Sequence, residues 1–336
     1  MPATLSRGGT APSPVSASMS SASSSEVAAA RRLRQHFAAV RVLFTWFGVR
    51  KSLSAEQKAQ AAESFGAEGQ YLSAAKKLLD TKHEAFQQVT AVRSQIISYW
   101  KGLSLPYPDP GVRLIRQDDV SAFNARMTTF RAELEAAVDN LDDHFGHLRV
   151  AAADRLGRLY NPADYPPTLR GLFAVDFDFP SVEPPEYLLR LNPHLYDQER
   201  RRIGERFDEA VRLAEEAFVT EFGRLVSHLT ERLTAGPDGE RKVFRDSAIG
   251  NLTAFFDRFK SLNVRSNADL DRLVETARQA LTGVDPHIVR NSASLRQQVT
   301  TQLATVQSVL DGMLVDQPRR RVLRQGRAPG QEGAAE

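Results

Sequence analysis

The stretch "VSAFNARMTTFRAELEAAVDNLDDHFGHLRVAAADRLGRL", residues 120–159, decides the fold. Apolar residues recur in it at steps of three and four: Phe123, Met127, Phe130, Leu134, Val138, Leu141, Phe145, Leu148, Ala152, Leu156 and Leu159. That spacing places them on one face of an α-helix. About forty residues at a rise of about 1.5 Å make a helix about 60 Å long. A second stripe runs through Ile203, Phe207, Val211, Ala214, Phe218, Phe222, Leu225 and Leu229. Each stripe needs a partner face, and the simplest solution packs the two as an antiparallel pair, knobs into holes. The stripes can also be completed between two copies of the chain, which makes a homo-oligomer a candidate assembly. The predicted class is mainly α: an elongated bundle of long antiparallel coiled-coil-like helices with a small antiparallel β-sheet.

Between the stripes and before them the pattern changes. "VRVLFTWFG" (residues 40–48), "VRLIR" (112–116) and "LFAVDFDF" (172–179) alternate with period two and read as three strands. Ser54 with Gln57 three residues on forms a capping box that opens a helix, and Thr81 is the cap candidate for the next. That helix must stop in "LPYPDPG", where Pro106, Pro108 and Pro110 remove backbone donors and Gly111 permits the reversal. Pairing of residues 112–116 with 172–179 is expected to bring two proline- and aromatic-rich segments together. Tyr107, Tyr165 and Tyr187 then form a candidate partner-binding corner; the alternative is a stiff corner with only a structural role.

Composition narrows the function. The chain has 336 residues, 42% hydrophobic and 25% charged, with no cysteine. Disulfides, thiolate metal sites and cysteine nucleophiles are therefore excluded, and a reducing, cytoplasmic setting is expected. The longest apolar run near the N-terminus, residues 42–49, is far short of the roughly 20 residues a bilayer span needs, so no membrane association is expected. Residues 1–53 carry seven basic side chains against Glu26, and the tail from Arg319 carries five arginines against Glu332 and Glu336. The net charge of the whole is +3, so the body between these ends is acidic. Three regions follow: a disordered Ser/Ala-rich leader (1–35), a helical domain with the small sheet (36–317) and a disordered basic tail (318–336). An organellar transit peptide is the alternative reading of the leader. Nucleic-acid contact through the basic ends, with Arg319, Arg320, Arg321 and Arg324 as candidate polyanion contacts, is the alternative function.

The chain lacks the phosphate-cradling glycine motifs, H-E-x-x-H and G-x-S-x-G. "DDHFGH" supplies Asp142, Asp143, His144 and His147 at helical spacing, as metal ligands would be, or as a solvated flank would be. Asp176 and Asp178 share one strand face, as an acid and base pair does, and as any polar strand face does. His228 and Glu231 lie one helical turn apart, and in the antiparallel model His228 falls near Met127, away from the other histidines. "KVFRDS" (242–247) reads as an ordinary helix start. No catalytic, cofactor or metal site is expected, and the chain is expected not to be an enzyme.

"VRVLFTWFGVRKSLSAEQ", "LPYPDPGVRLIRQDDVSAF", "LGRLYNPADYPPTLRGLFAVDFDFPSVEPP", "VSHLTERL" and "KVFRDSAIGNLTAFFDRFKSLNVRSNADLDRL", in this order, resemble the blocks of the bacterial and phage domain-of-unknown-function family 3150. The resemblance spans residues 40–315 and leaves out both ends. It implies a protein of phages, plasmids or integrative elements, encoded near a MoxR-like AAA+ ATPase and a von Willebrand A protein. An adaptor of an ATPase-driven remodelling system is the expected role, with no catalytic residue to carry over.

Overall fold

A computed structural model describes residues 14–234, 247–284, 288–289 and 292–315. The fold is mainly α with a four-stranded antiparallel sheet and a separate two-stranded hairpin. It divides into two compact units: residues up to Glu215 together with Arg258–Asn267, and Glu216–Asp257 together with the chain from Ala268. No helix among the described residues is long and apolar enough to cross a membrane.

The first unit is organised by the 120–159 stripe. It forms α4 (Val120–Asp143) and α5 (Phe145–Leu156), with the junction at His144. The expected single helix is therefore two, and α5 ends at Gly157, whose φ of 48° suits glycine. Phe123, Met127, Phe130, Leu134, Val138 and Leu141 are all buried. Their partner is α3 (Glu84–Gly102), and the 203–229 stripe is absent from the cluster that buries them. Tyr99 stacks on Phe123 with ring centroids 5.8 Å apart, Asn140 donates to Gln88 at 2.8 Å, and the His83 and His144 rings lie 5.3 Å apart. Those three contacts run in opposite directions along the two helices, so the antiparallel pair exists with α3 in place of the expected mate. The reason is short linkage: the β4–β5 hairpin returns the chain from α3 directly to α4. The N-cap of α3 is His83, whose Nδ1 accepts from Ala85 N–H at 3.3 Å, and not Thr81.

The sheet has the order β4 (Ser104–Pro106), β5 (Val112–Arg116), β1 (Phe37–Trp46), β6 (Phe173–Asp178). The expected pairing of β5 with β6 does not occur. β1 stands between them, pairing with β5 through Phe37–Arg41 and with β6 through Arg41–Trp46. Its ten residues are long enough to give each neighbour its own half. Val40, Val42, Ile115, Phe173 and Val175 join the α3–α4 core. Ala39, Leu105 and Leu114 are buried as well, and cross-strand partners put them together on the opposite face.

The leader is not without order: Pro14–His36 is helix α1, and Ala29, Ala30 and Leu33 are buried. Arg32 Nε donates to the Val264 carbonyl at 3.0 Å, and Arg34 bonds Glu183. Small alanines at helical spacing suffice for close packing where a count of large apolar side chains signals disorder. The short α2 (Ala55–Glu63) carries the expected capping box, Ser54 with Gln57. A two-stranded hairpin, β2 (Arg50–Ser52) with β3 (Ala75–Lys77), encloses it.

Next come α6 (Glu186–Leu191) and the continuous α7 (Pro193–Leu233). In the second unit Phe218, Phe222 and Val226 of α7 meet α8 (Ser247–Leu262), where Phe222 stacks on Phe255 with centroids 5.1 Å apart. Helices α9 (Ala268–Leu281) and α10 (Ala293–Val315) bury Leu270, Val274 and Ala277, and Val299, Leu303 and Val306. The basic tail, including Arg319, Arg320, Arg321 and Arg324, and residues 242–246 lie outside the described residues.

Met127 lies at the centre of the first core and is fully buried. Met127→Ala is expected to lower stability by about 2–5 kcal/mol, read as a fall in the denaturant midpoint at unchanged slope.

Candidate partner-binding surface

The three tyrosines of the expected corner do not meet. Tyr107 is 6% exposed and packs edge-on against Phe207 of α7 at 5.7 Å. Burial pushes its phenol above the ordinary tyrosine value. Tyr165 is 8% exposed, donates its hydroxyl to the Leu78 carbonyl at 3.0 Å and leans on Tyr160. Its phenol is also raised by burial. Both are core residues. Because β1 separates β5 from β6, the two proline-rich segments are not joined by a shared strand pair, and "LPYPDPG" is a stiff corner closed by Gly111 at φ 77°.

Tyr187 differs: it is 54% exposed, on α6. That helix buries none of its residues. Leu189 and Leu191 are exposed on it, Leu191 by 77%, and Leu195 is exposed at the start of α7. Pro184 and Pro185 precede the helix, and Asn192 and Pro193 end it. Fixing a backbone segment costs conformational entropy that burial normally offsets. Here the ordered segment leaves its large side chains in water, the mark of a surface completed by another molecule. Sequence reading found one member, Tyr187, and missed the leucines because a six-residue helix shows no resolvable periodicity.

The candidate chemical groups have structural partners. Arg41 grips Asp178 across β1 and β6, Nε to Oδ1 at 3.0 Å, and holds its carboxyl below the usual aspartate value. Arg131 pairs with Asp176 at 2.9 Å and bonds the Val175 carbonyl. The two carboxylates thus each face an arginine. Asp142 accepts from the Leu169 N–H at 2.7 Å and the Thr168 hydroxyl at 2.8 Å, tying α4 to the segment before β6. His144 Nδ1 bonds the Asn140 carbonyl at 2.8 Å, while Asp143 and His147 are exposed. His228 is exposed on α7. Among the described residues no group of three or more metal-binding side chains converges.

One ionic cluster escaped sequence reading. Asp164, its side chain 3% exposed, meets Lys51 of β2 and Lys76 of β3, each at 2.6 Å. Lys76 also donates to the Leu159 carbonyl at 2.6 Å. The two ammonium groups hold the Asp164 carboxyl below its ordinary value, and the cluster clamps the β2–β3 hairpin onto the 159–165 segment. No family model, curated protein or solved structure matches the chain, so its function is argued from its own geometry.

Two predictions follow from these positions. Tyr107→Ala combined with Tyr165→Ala is expected to destabilise the fold by several kcal/mol, of order 3 kcal/mol or more per ring, read as loss of near-UV dichroism on mild heating. For Asp164 the carboxyl is depressed in the folded chain, so its stabilising contribution is present above the unfolded aspartate value of about 3.9 and is lost as pH falls through the lower folded value. Asp164→Asn is therefore expected to lower the melting temperature at about pH 7, with the difference from wild type shrinking below about pH 3. An equal difference at both pH values counts against the clamp.

Proposed function

We propose that the chain is a non-catalytic adaptor that presents the exposed α6 ridge, Tyr187, Leu189, Leu191 and Leu195, to a protein partner. The observation that carries this reading is a proline-bracketed helix with no buried residue and three large apolar side chains in water, continued by the exposed Leu195 at the start of α7. The ion-paired state of Asp176 and Asp178 supports it, because neither carboxylate is set apart for proton transfer. The partner class is the one the resemblance implies: a MoxR-like AAA+ ATPase or its von Willebrand A companion, in the cytoplasm of a cell carrying the mobile element.

The test is a pull-down from host lysate with the tagged full chain, with and without ATP, compared with a Tyr187→Ser, Leu191→Ser double variant. Wild type is expected to recover the ATPase or the von Willebrand A protein. The variant is expected to lose at least about tenfold of that recovery at unchanged melting temperature. Equal recovery by both proteins removes α6 from the interface. Recovery of nucleic acid alone, abolished at raised salt, favours instead the reading in which the basic ends contact polyanions.

A further inference from the structure

Between α2 and β3 the chain forms a knob, residues 63–71, on which Phe65 and Tyr71 are each 82% exposed, more than any other large apolar side chain among the described residues. Its backbone is held all the same. The Phe65 and Ala67 N–H groups both donate to the Ala62 carbonyl, at 2.9 and 3.0 Å, and Tyr71 N–H donates to the Glu68 carbonyl at 3.0 Å. Gly69 lies so close to α2 that a Cβ on it would come within 2.8 Å of Ala59 Cα. The two rings thus stand in water on an ordered backbone, which lowers the entropy lost when a partner covers them. Two exposed carboxylates flank them, Glu63 and Glu68. Among the described residues neither joins an ion pair; Glu68 accepts from Gln70 beside it.

The α6 ridge carries the opposite sign at its centre. Between Tyr187 and Leu195 the one formally charged side chain is Arg190, which is exposed and pairs with no acid among the described residues, while Glu186 stands at the start of the helix. We infer that the knob of one copy docks on the α6 ridge of the next, a head-to-tail contact between copies of this chain. Both surfaces are exposed in the single chain, so neither covers the other within it. Knob against knob would set Glu63 and Glu68 against themselves, and ridge against ridge would set Arg190 against Arg190. Knob on ridge joins apolar to apolar and opposite charges at once. Rings of about 150–250 Å² each set the contact near the small end of specific interfaces, about 1,200 Å² in total, so association depends on concentration. Because knob and ridge are different patches, the contact repeats from copy to copy and is not exhausted at a dimer. The inference rests on the reading of α6 as a docking surface; one end of an open array keeps its ridge free for the partner proposed above.

The experiment is sedimentation of the purified full chain over a wide range of concentration, with a knob variant (Phe65→Ser, Tyr71→Ser) and the ridge variant (Tyr187→Ser, Leu191→Ser). Wild type is expected to grow past a dimer as concentration rises. Each variant is expected to lose self-association by at least about tenfold at unchanged melting temperature. An equimolar mixture of the two variants retains one intact knob and one intact ridge, and is expected to form dimers and nothing larger. A wild type that stays monomeric overturns the inference, as does a mixture that stays monomeric or a variant that associates as wild type does. The adaptor reading is judged separately, by recovery from lysate: a monomeric wild type that still recovers its partner through α6 leaves that reading standing while this one falls.

Discussion

The first unit depends on one face of α4. Phe123, Met127, Phe130, Leu134, Val138 and Leu141 lie against α3 and beneath the sheet, in one cluster with Val40, Val42, Ile115, Phe173 and Val175 of the strands. The aromatic contacts show how directional the packing is: Tyr99 lies flat on Phe123 and edge-on to Phe130, while Phe123 meets Phe177 of β6 edge-on. Offset and edge-to-face arrangements of this kind add to area burial and favour one relative rotation of helix and sheet. The register of β6 on β1 then follows, since a slip of one residue would turn Phe173 and Val175 out of the core.

Polar groups finish what this packing begins. Arg41 with Asp178, Arg131 with Asp176, and Asp142 with Leu169 N–H each join a strand or loop to the element the core has brought near. Arg131 also covers a β6 carbonyl, and β6 is an edge strand. A charge at such a position hinders pairing with a foreign strand. Of the candidates that sequence reading singles out, Asp142, Asp176 and Asp178 are thus occupied in joining elements.

What was legible in the sequence had a period or a local signature. The α4 row, the bounds of β5 and the capping box at Ser54 and Gln57 all come from spacing within a few residues. What was not legible involved choice among distant partners. β5 and β6 alternate alike, so alternation cannot say that β1 separates them. The break at His144 is invisible because the apolar row continues through it into Phe145 and Leu148. Asp164 with Lys76, and Tyr165 with the Leu78 carbonyl, join residues far apart with no pattern linking them. For the candidate surface, Tyr187 was found by residue type, but only burial separates it from Tyr107 and Tyr165.

The central place of β1 has a consequence for how the chain is made. Arg41 and Asp178 meet across 137 positions, so β1 leaves the ribosome long before β6 exists. Until then α3, α4 and β5 can assemble by local contacts, while one edge of a strand carrying Phe44 and Trp46 stays unpaired. Closing that gap is a non-local event, of the kind whose loop-closure entropy slows folding and leaves a nascent strand edge open to wrong pairing.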